Sequence, residues 1–125
     1  MEKEPAYVEL YVDGILRLPR LSKDQYALLF TLLQRAYKAD AIDNLGMCIV
    51  MTPLVKADIS KSLGFTHKQT IDNLLSHLVS MHYLYKYGCG IFRINPYIFG
   101  KGKMEDIIKL RKVVHDPMFE VTCNE

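Results

Sequence analysis

Long apolar runs are missing from this sequence. The longest, Ala27 to Phe30 and Met47 to Met51, fall far short of the roughly 20 residues that cross a bilayer, so no membrane partner is expected. A secretory leader is also missing, because Met1-Glu2-Lys3-Glu4-Pro5 is acidic and has no apolar stretch behind it. Cysteine is scarce: Cys48, Cys89 and Cys123 are odd in number and widely scattered, which argues against a disulfide framework and against a zinc site. A reducing cytoplasm is the expected location. His67, His77, His82 and His115 lack any metal-ligand spacing. His77 and His82, five apart, stand about 140 degrees from each other on a helix. No nucleotide fingerprint or carboxylate pair stands out. Cys48, expected to be buried, and Cys89, expected to be exposed, have no activating neighbour in sequence. The expectation is a protein that is not an enzyme and carries no metal or cofactor.

Half of the residues are hydrophobic and 24% are charged, the balance of a folded globular chain, which excludes wholesale disorder. A length of 125 residues fits one core, expected over residues 1–114, with a flexible acidic tail over 115–125. The net charge of +2 conceals a segregation. Residues 1–55 hold six Lys and Arg against seven Asp and Glu, residues 56–112 hold ten against four, and residues 113–125 hold none against three. The basic middle points to a polyanionic partner, although a solvated basic face gives the same count.

Tyr7-Val8-Glu9-Leu10-Tyr11-Val12 alternates and predicts a strand, stopped by the turn pair Asp13-Gly14. Residues 15–18 fit a return strand or a short helical turn equally, and Pro19 breaks either. Ser22 with Gln25 has the form of a capping box, so a helix is expected over 23–38 with Leu28, Leu29, Leu32, Leu33 and Ala36 on its apolar face. Ala39 to Gly46 reads as a loop and Met47 to Met51 as a brief buried strand. Thr52-Pro53 opens a helix with Leu54, Ile59 and Leu63 along it, and Gly64 ends it. Thr66 and Gln69 suggest a second capping box, with a helix from His67 to about His82. Two helices across Gly64-Phe65-Thr66 have the form of a helix-turn-helix, residues 53–82. Aromatic and β-branched runs flanking Gly88-Cys89-Gly90 predict a β-hairpin over 83–95, in the position of a wing. Gly100-Lys101-Gly102-Lys103 reads as a flexible basic link before a last helix, 103–114, whose acidic start and basic end suit the helix dipole. The fold class expected is mainly α with a small β-wing (α+β), a winged helix-turn-helix.

At 100 degrees per residue, Ile71, Leu74, Leu75 and Leu78 face the core, which leaves Gln69, Asn73, Ser76 and Ser80 outward, flanked by Thr70, Asp72 and His77. Asn and Gln pair bidentately with adenine in the major groove. Gln69, Thr70, Asn73 and Ser76 are therefore the candidates for base readout, and Lys61, Thr66, Lys68, Lys86, Arg93, Lys101 and Lys103 for the DNA backbone. Asp72 repels phosphate unless it accepts from cytosine N4 or pairs with a nearby lysine, and it is expected as an edge residue turned from the backbone. Tyr85 and Tyr87 alternate with Lys86, as packing residues or as phosphate-facing hydroxyls.

The order strand, helix, helix-turn-helix and wing, followed by Ile94-Asn95-Pro96-Tyr97-Ile98-Phe99-Gly100-Lys101-Gly102-Lys103-Met104-Glu105-Asp106-Ile107, resembles the RepL-type replication proteins of plasmids and phages. Leu63-Gly64-Phe65-Thr66 leading into Gln69-Thr70-Ile71-Asp72-Asn73 adds to the likeness, which spans roughly residues 8–111. Met104 departs from it, standing where an aromatic residue is expected. The resemblance implies a winged-helix domain like that of MarR regulators and a role on double-stranded DNA in replication initiation or maintenance, with host replication proteins as possible partners. Two alternatives keep the fold: a transcriptional repressor or autoregulator, and a protein-interaction module that has lost DNA binding. Two-fold DNA sites favour a homodimer, paired through the edge or apolar face of the strand at 7–12.

Overall fold

The computed structural model describes residues 8–114 together with Asp116 and Phe119; the side chains of Lys68 and Gln69 lie outside the description. The architecture is α+β. In chain order the elements are β1 (Glu9–Leu10), α1 (Val12–Ile15), α2 (Lys23–Arg35), β2 (Cys48–Val50), α3 (Pro53–Leu63), α4 (Lys68–Ser80), β3 (Leu84–Gly88), β4 (Ile91–Ile94), β5 (Phe99–Gly100) and α5 (Met104–Val113). One antiparallel sheet has the order β2-β4-β3, and β1 pairs antiparallel with β5 in a second.

The opening segment departs from its alternation. Only Glu9 and Leu10 are in a strand, and the chain then coils into α1. Leu10 is 52% and Val12 60% exposed, so of Val8, Leu10 and Val12 only Val8 packs against the core, half-buried. The turn pair Asp13-Gly14 lies inside α1, and its glycine serves a close approach: a Cβ there would run into the Tyr97 carbonyl. The Tyr11 N–H, just before, donates to the Ile98 carbonyl at 2.7 Å. Of residues 15–18, Ile15 ends α1 and Leu16 and Arg17 follow as a turn, with the Leu18 N–H donating to the Ile15 carbonyl at 3.2 Å, so the segment is a helical turn and not a return strand.

The capping box of α2 forms in both halves, with the Ser22 side chain accepting from the Gln25 N–H at 3.2 Å and the Gln25 amide accepting from the Ser22 N–H at 2.7 Å. The helix stops at Arg35 rather than at 38. Ala36 turns extended, and the Tyr37 N–H donates to the Cys48 carbonyl at 3.0 Å, drawing the chain toward β2. Thr52 caps α3 through a 3.1 Å bond from the Val55 N–H, and Pro53 takes the first helical position. Leu54 is 81% exposed, so α3 buries Ile59 alone and half-buries Leu63.

Leu28, Leu29 and Leu32 of α2, Ile59 of α3, Ile71, Leu75 and Leu78 of α4, Leu84 and Ile94 of the hairpin and Ile107 of α5 share one core. Burying a side chain of this size stabilises by about 1.5–3 kcal/mol, which is why residues so far apart in sequence hold four helices against the sheet. Asp116 and Phe119 correct the expectation of a free tail at their positions, since both are buried. Phe119 stacks on Tyr97 with ring centroids 5.1 Å apart. The rest of the acidic segment lies outside the described residues.

Candidate nucleic-acid interface

Gly64 makes the junction between α3 and α4. It adopts φ 77°, which glycine reaches without steric cost, and the Phe65 N–H reverts to the Ser60 carbonyl at 2.8 Å. The chain re-enters a helix one residue later than Thr66 suggests. His67 rather than Thr66 is the N-cap of α4, with no side-chain cap bond, and the Gln69 half of the expected Thr66–Gln69 capping box lies outside the described residues. Thr66 is exposed.

On α4 the hydrophobic reading holds: Ile71, Leu75 and Leu78 are buried and Leu74 is half-buried. The other side shows Asn73, Ser76 and His77 to solvent, with Thr70 half-buried beside them. Ser80 donates its hydroxyl to the His77 carbonyl at 2.9 Å. Of the base-readout candidates, Asn73 and Ser76 are thus exposed on one helix, Thr70 sits at its margin, and the Gln69 side chain lies outside the description. Asp72 pairs with Lys56 at 2.8 Å across α3 and α4. Lys56 carries no local signal for this, since it lies in another helix. Lys56 and Asp72 line a groove of about 570 Å³ together with Lys61, Phe65, Thr66 and Ile71; Thr70, Asn73 and Ser76 are not among its lining residues.

The cations expected to grip phosphate divide into two groups. Lys61, Lys86 and Lys103 are exposed, and the Lys68 side chain lies outside the description. Arg93 and Lys101 are taken up by the fold. Arg93 is 3% exposed. Its Nε donates to the Gly46 carbonyl at 3.0 Å, its Nη2 to the Asn44 carbonyl, and its guanidinium carbon lies 4.5 Å from the Tyr87 ring centroid. Lys101 donates through Nζ to the carbonyls of Leu33, Gln34 and Ala36 at 3.0, 3.0 and 2.6 Å, closing the C-terminus of α2. The ammonium satisfies carbonyls that a helix end leaves open, while burial and the nearby Lys38 push its pKa down. The segment around it is not a loose basic link, because Gly100 is buried in β5 and the Lys101 carbonyl accepts from the Ala39 N–H at 2.7 Å.

The hairpin forms where expected, β4 central between β3 and β2, with Cys48 opposite Arg93 and Leu84 opposite Ile94. Tyr85 donates its hydroxyl to Asp116 Oδ2 at 2.6 Å, and His82 Nδ1 lies 2.8 Å from the same oxygen. This cluster at the hairpin root has no signature in sequence, because Asp116 arrives from beyond α5. Cys48 is buried, which pushes its thiol pKa up against the pull of Arg93, and Cys89 is exposed in the turn. Met104 is 44% exposed, so α5 packs through Ile107 and Leu110 without an aromatic residue there. Among the described residues no cluster of His, Cys, Asp and Glu fits a metal, and no helix is long and apolar enough to cross a membrane. Comparison of the chain with protein-family models, curated proteins and solved structures gives no match.

Proposed function

We propose that this chain is a winged helix-turn-helix protein that binds double-stranded DNA sequence-specifically. The carrying observation is α4 itself. It follows α3 across a left-handed glycine, buries Ile71, Leu75 and Leu78, and leaves Asn73 and Ser76 in solvent. The order α2, β2, α3, α4, β3, β4, with β4 between β2 and β3, supports reading the hairpin as a wing. A helix presented in this way places amides and hydroxyls at base edges in the major groove. Asn73, Ser76 and Thr70, with Gln69, are the proposed readers, and Lys61, Thr66, Lys68, Lys86 and Lys103 the backbone contacts. Arg93 and Lys101 leave that set because their charge is spent on carbonyls. Asp72, held by Lys56, sits at the edge of the interface.

The place of action follows from the resemblance over Ile94 to Ile107: initiation or maintenance of plasmid or phage replication in the cytoplasm, as a homodimer on a two-fold site. Selection of bound fragments from random and replicon DNA tests binding, specificity and half-site spacing together. Asn73→Ala is expected to cost about 1–3 kcal/mol on the selected site and little on random duplex; equal losses on both remove Asn73 from the readers. Loss of plasmid maintenance from a minimal origin on deletion of the gene supports the replication role. Repression of a promoter with intact maintenance moves the protein to regulation.

A further inference from the structure

Tyr87 falls where the register of the hairpin slips. Lys86 stands opposite Phe92 and Gly88 opposite Ile91, so Tyr87 has no partner across the ladder. Tyr85 stands opposite Arg93, so Tyr87, two residues on, falls on the Arg93 face of the hairpin. Here the ring comes to lie over the Arg93 guanidinium, 4.5 Å from centroid to carbon. That guanidinium is fixed in turn by the Gly46 and Asn44 carbonyls. A cation beneath an aromatic face is attracted to its π-cloud and sets the tilt of the ring. One face of Tyr87 is thereby engaged while the residue stays 45% exposed, two positions from the exposed Cys89 of the turn.

We infer that Tyr87 is a contact residue of the hairpin, its open ring surface packing on the deoxyribose of a bound strand, and that Arg93 is its positioning residue and touches no phosphate. This inference rests on the DNA-binding reading. Aromatic rings with an accessible surface are general platforms for nucleic acid. An uncharged contact releases no counterions, so it adds affinity without steepening salt dependence. Lys86, next in the chain and exposed, supplies the charged contact of the same strand.

The test is fluorescence-anisotropy titration of a labelled duplex across a salt series. Tyr87→Leu is expected to weaken binding about 5-fold at every salt concentration with the log-log slope unchanged, and Tyr87→Phe, which keeps the ring, to bind as the wild type does. Lys86→Ala lowers the slope by about 0.9. Arg93→Gln weakens binding by the Tyr87→Leu factor, leaves the slope alone and adds nothing in the double variant. A lowered slope in Arg93→Gln overturns the positioning role, since it reports a phosphate contact. If Arg93→Gln fails to fold by circular dichroism, the Tyr87→Leu and Tyr87→Phe pair decides alone, because neither disturbs the bonds from Arg93 to the loop carbonyls. Wild-type affinity in Tyr87→Leu overturns this inference and leaves the DNA reading standing. Absence of salt-dependent duplex binding by the wild type overturns both.

Discussion

Arg93 and Lys101 carry positive charge into the fold and meet it with carbonyl oxygens rather than carboxylates. Sequence gives their charge and cannot give this use, because the carbonyls of residues 33–46 come to them only through tertiary folding. Tyr83 shows a neutral version of the same arrangement. It is 1% exposed and donates its hydroxyl to the Pro19 carbonyl at 2.7 Å. Burial raises its pKa, and so does Tyr26 nearby; Tyr11 is likewise raised, by burial and Glu9 against the pull of Arg111. The unfolded phenols ionise near pH 10 (about 10), while the folded ones hold their protons longer. The stability they contribute is therefore complete below about pH 10 and is lost as pH rises through the folded values. Tyr83→Phe is expected to cost about 1 kcal/mol at neutral pH, for the bond to Pro19, and to make the alkaline decline shallower. Urea unfolding at neutral pH and above pH 10 measures both.

At the scale of elements, legibility follows range. The box at Ser22 and Gln25, the cap at Thr52 and the stop at Gly64 are settled within four residues, and all three form as their sequences predict. The alternation of residues 8–12 fails as a guide beyond Leu10 because the chain coils into α1, which leaves Leu10 and Val12 in solvent while Val8 and Tyr11 pack against the core; Tyr7 lies outside the described residues. The face of α4 is legible because three leucines and an isoleucine fix its rotation, whereas the link from Asp72 to Lys56 depends on how α3 crosses it. Two glycines separate the reasons for having no side chain. Gly64 has open space around it and a positive φ, whereas Gly14 lies against the Tyr97 carbonyl. Gly64→Ala is expected to cost about 1 kcal/mol of strain alone. Gly14→Ala must also shift backbone, so its loss should exceed that figure. Thermal unfolding of the two variants side by side checks the order.

Across the whole molecule, the helices and the β2-β4-β3 sheet are held from the far side by residues beyond α5. Phe119 stacks on Tyr97 and is buried, and Asp116 joins His82 and Tyr85. An acidic, Pro-containing stretch after a basic helix reads as solvated, and Phe119 departs from that reading at its own position by finding a ring to cover. Phe119→Ala should destabilise by about 3 kcal/mol, seen as a lower urea midpoint with the slope retained. An unchanged midpoint would mean that the stacking contributes nothing to the folded state. The pairing of Glu9 and Leu10 with Gly100 and Phe99 bears on biosynthesis. Those two residues leave the ribosome well ahead of their mates, so the nascent polypeptide must wait with that edge uncovered, open to chaperones and to neighbouring copies, until the later stretch emerges.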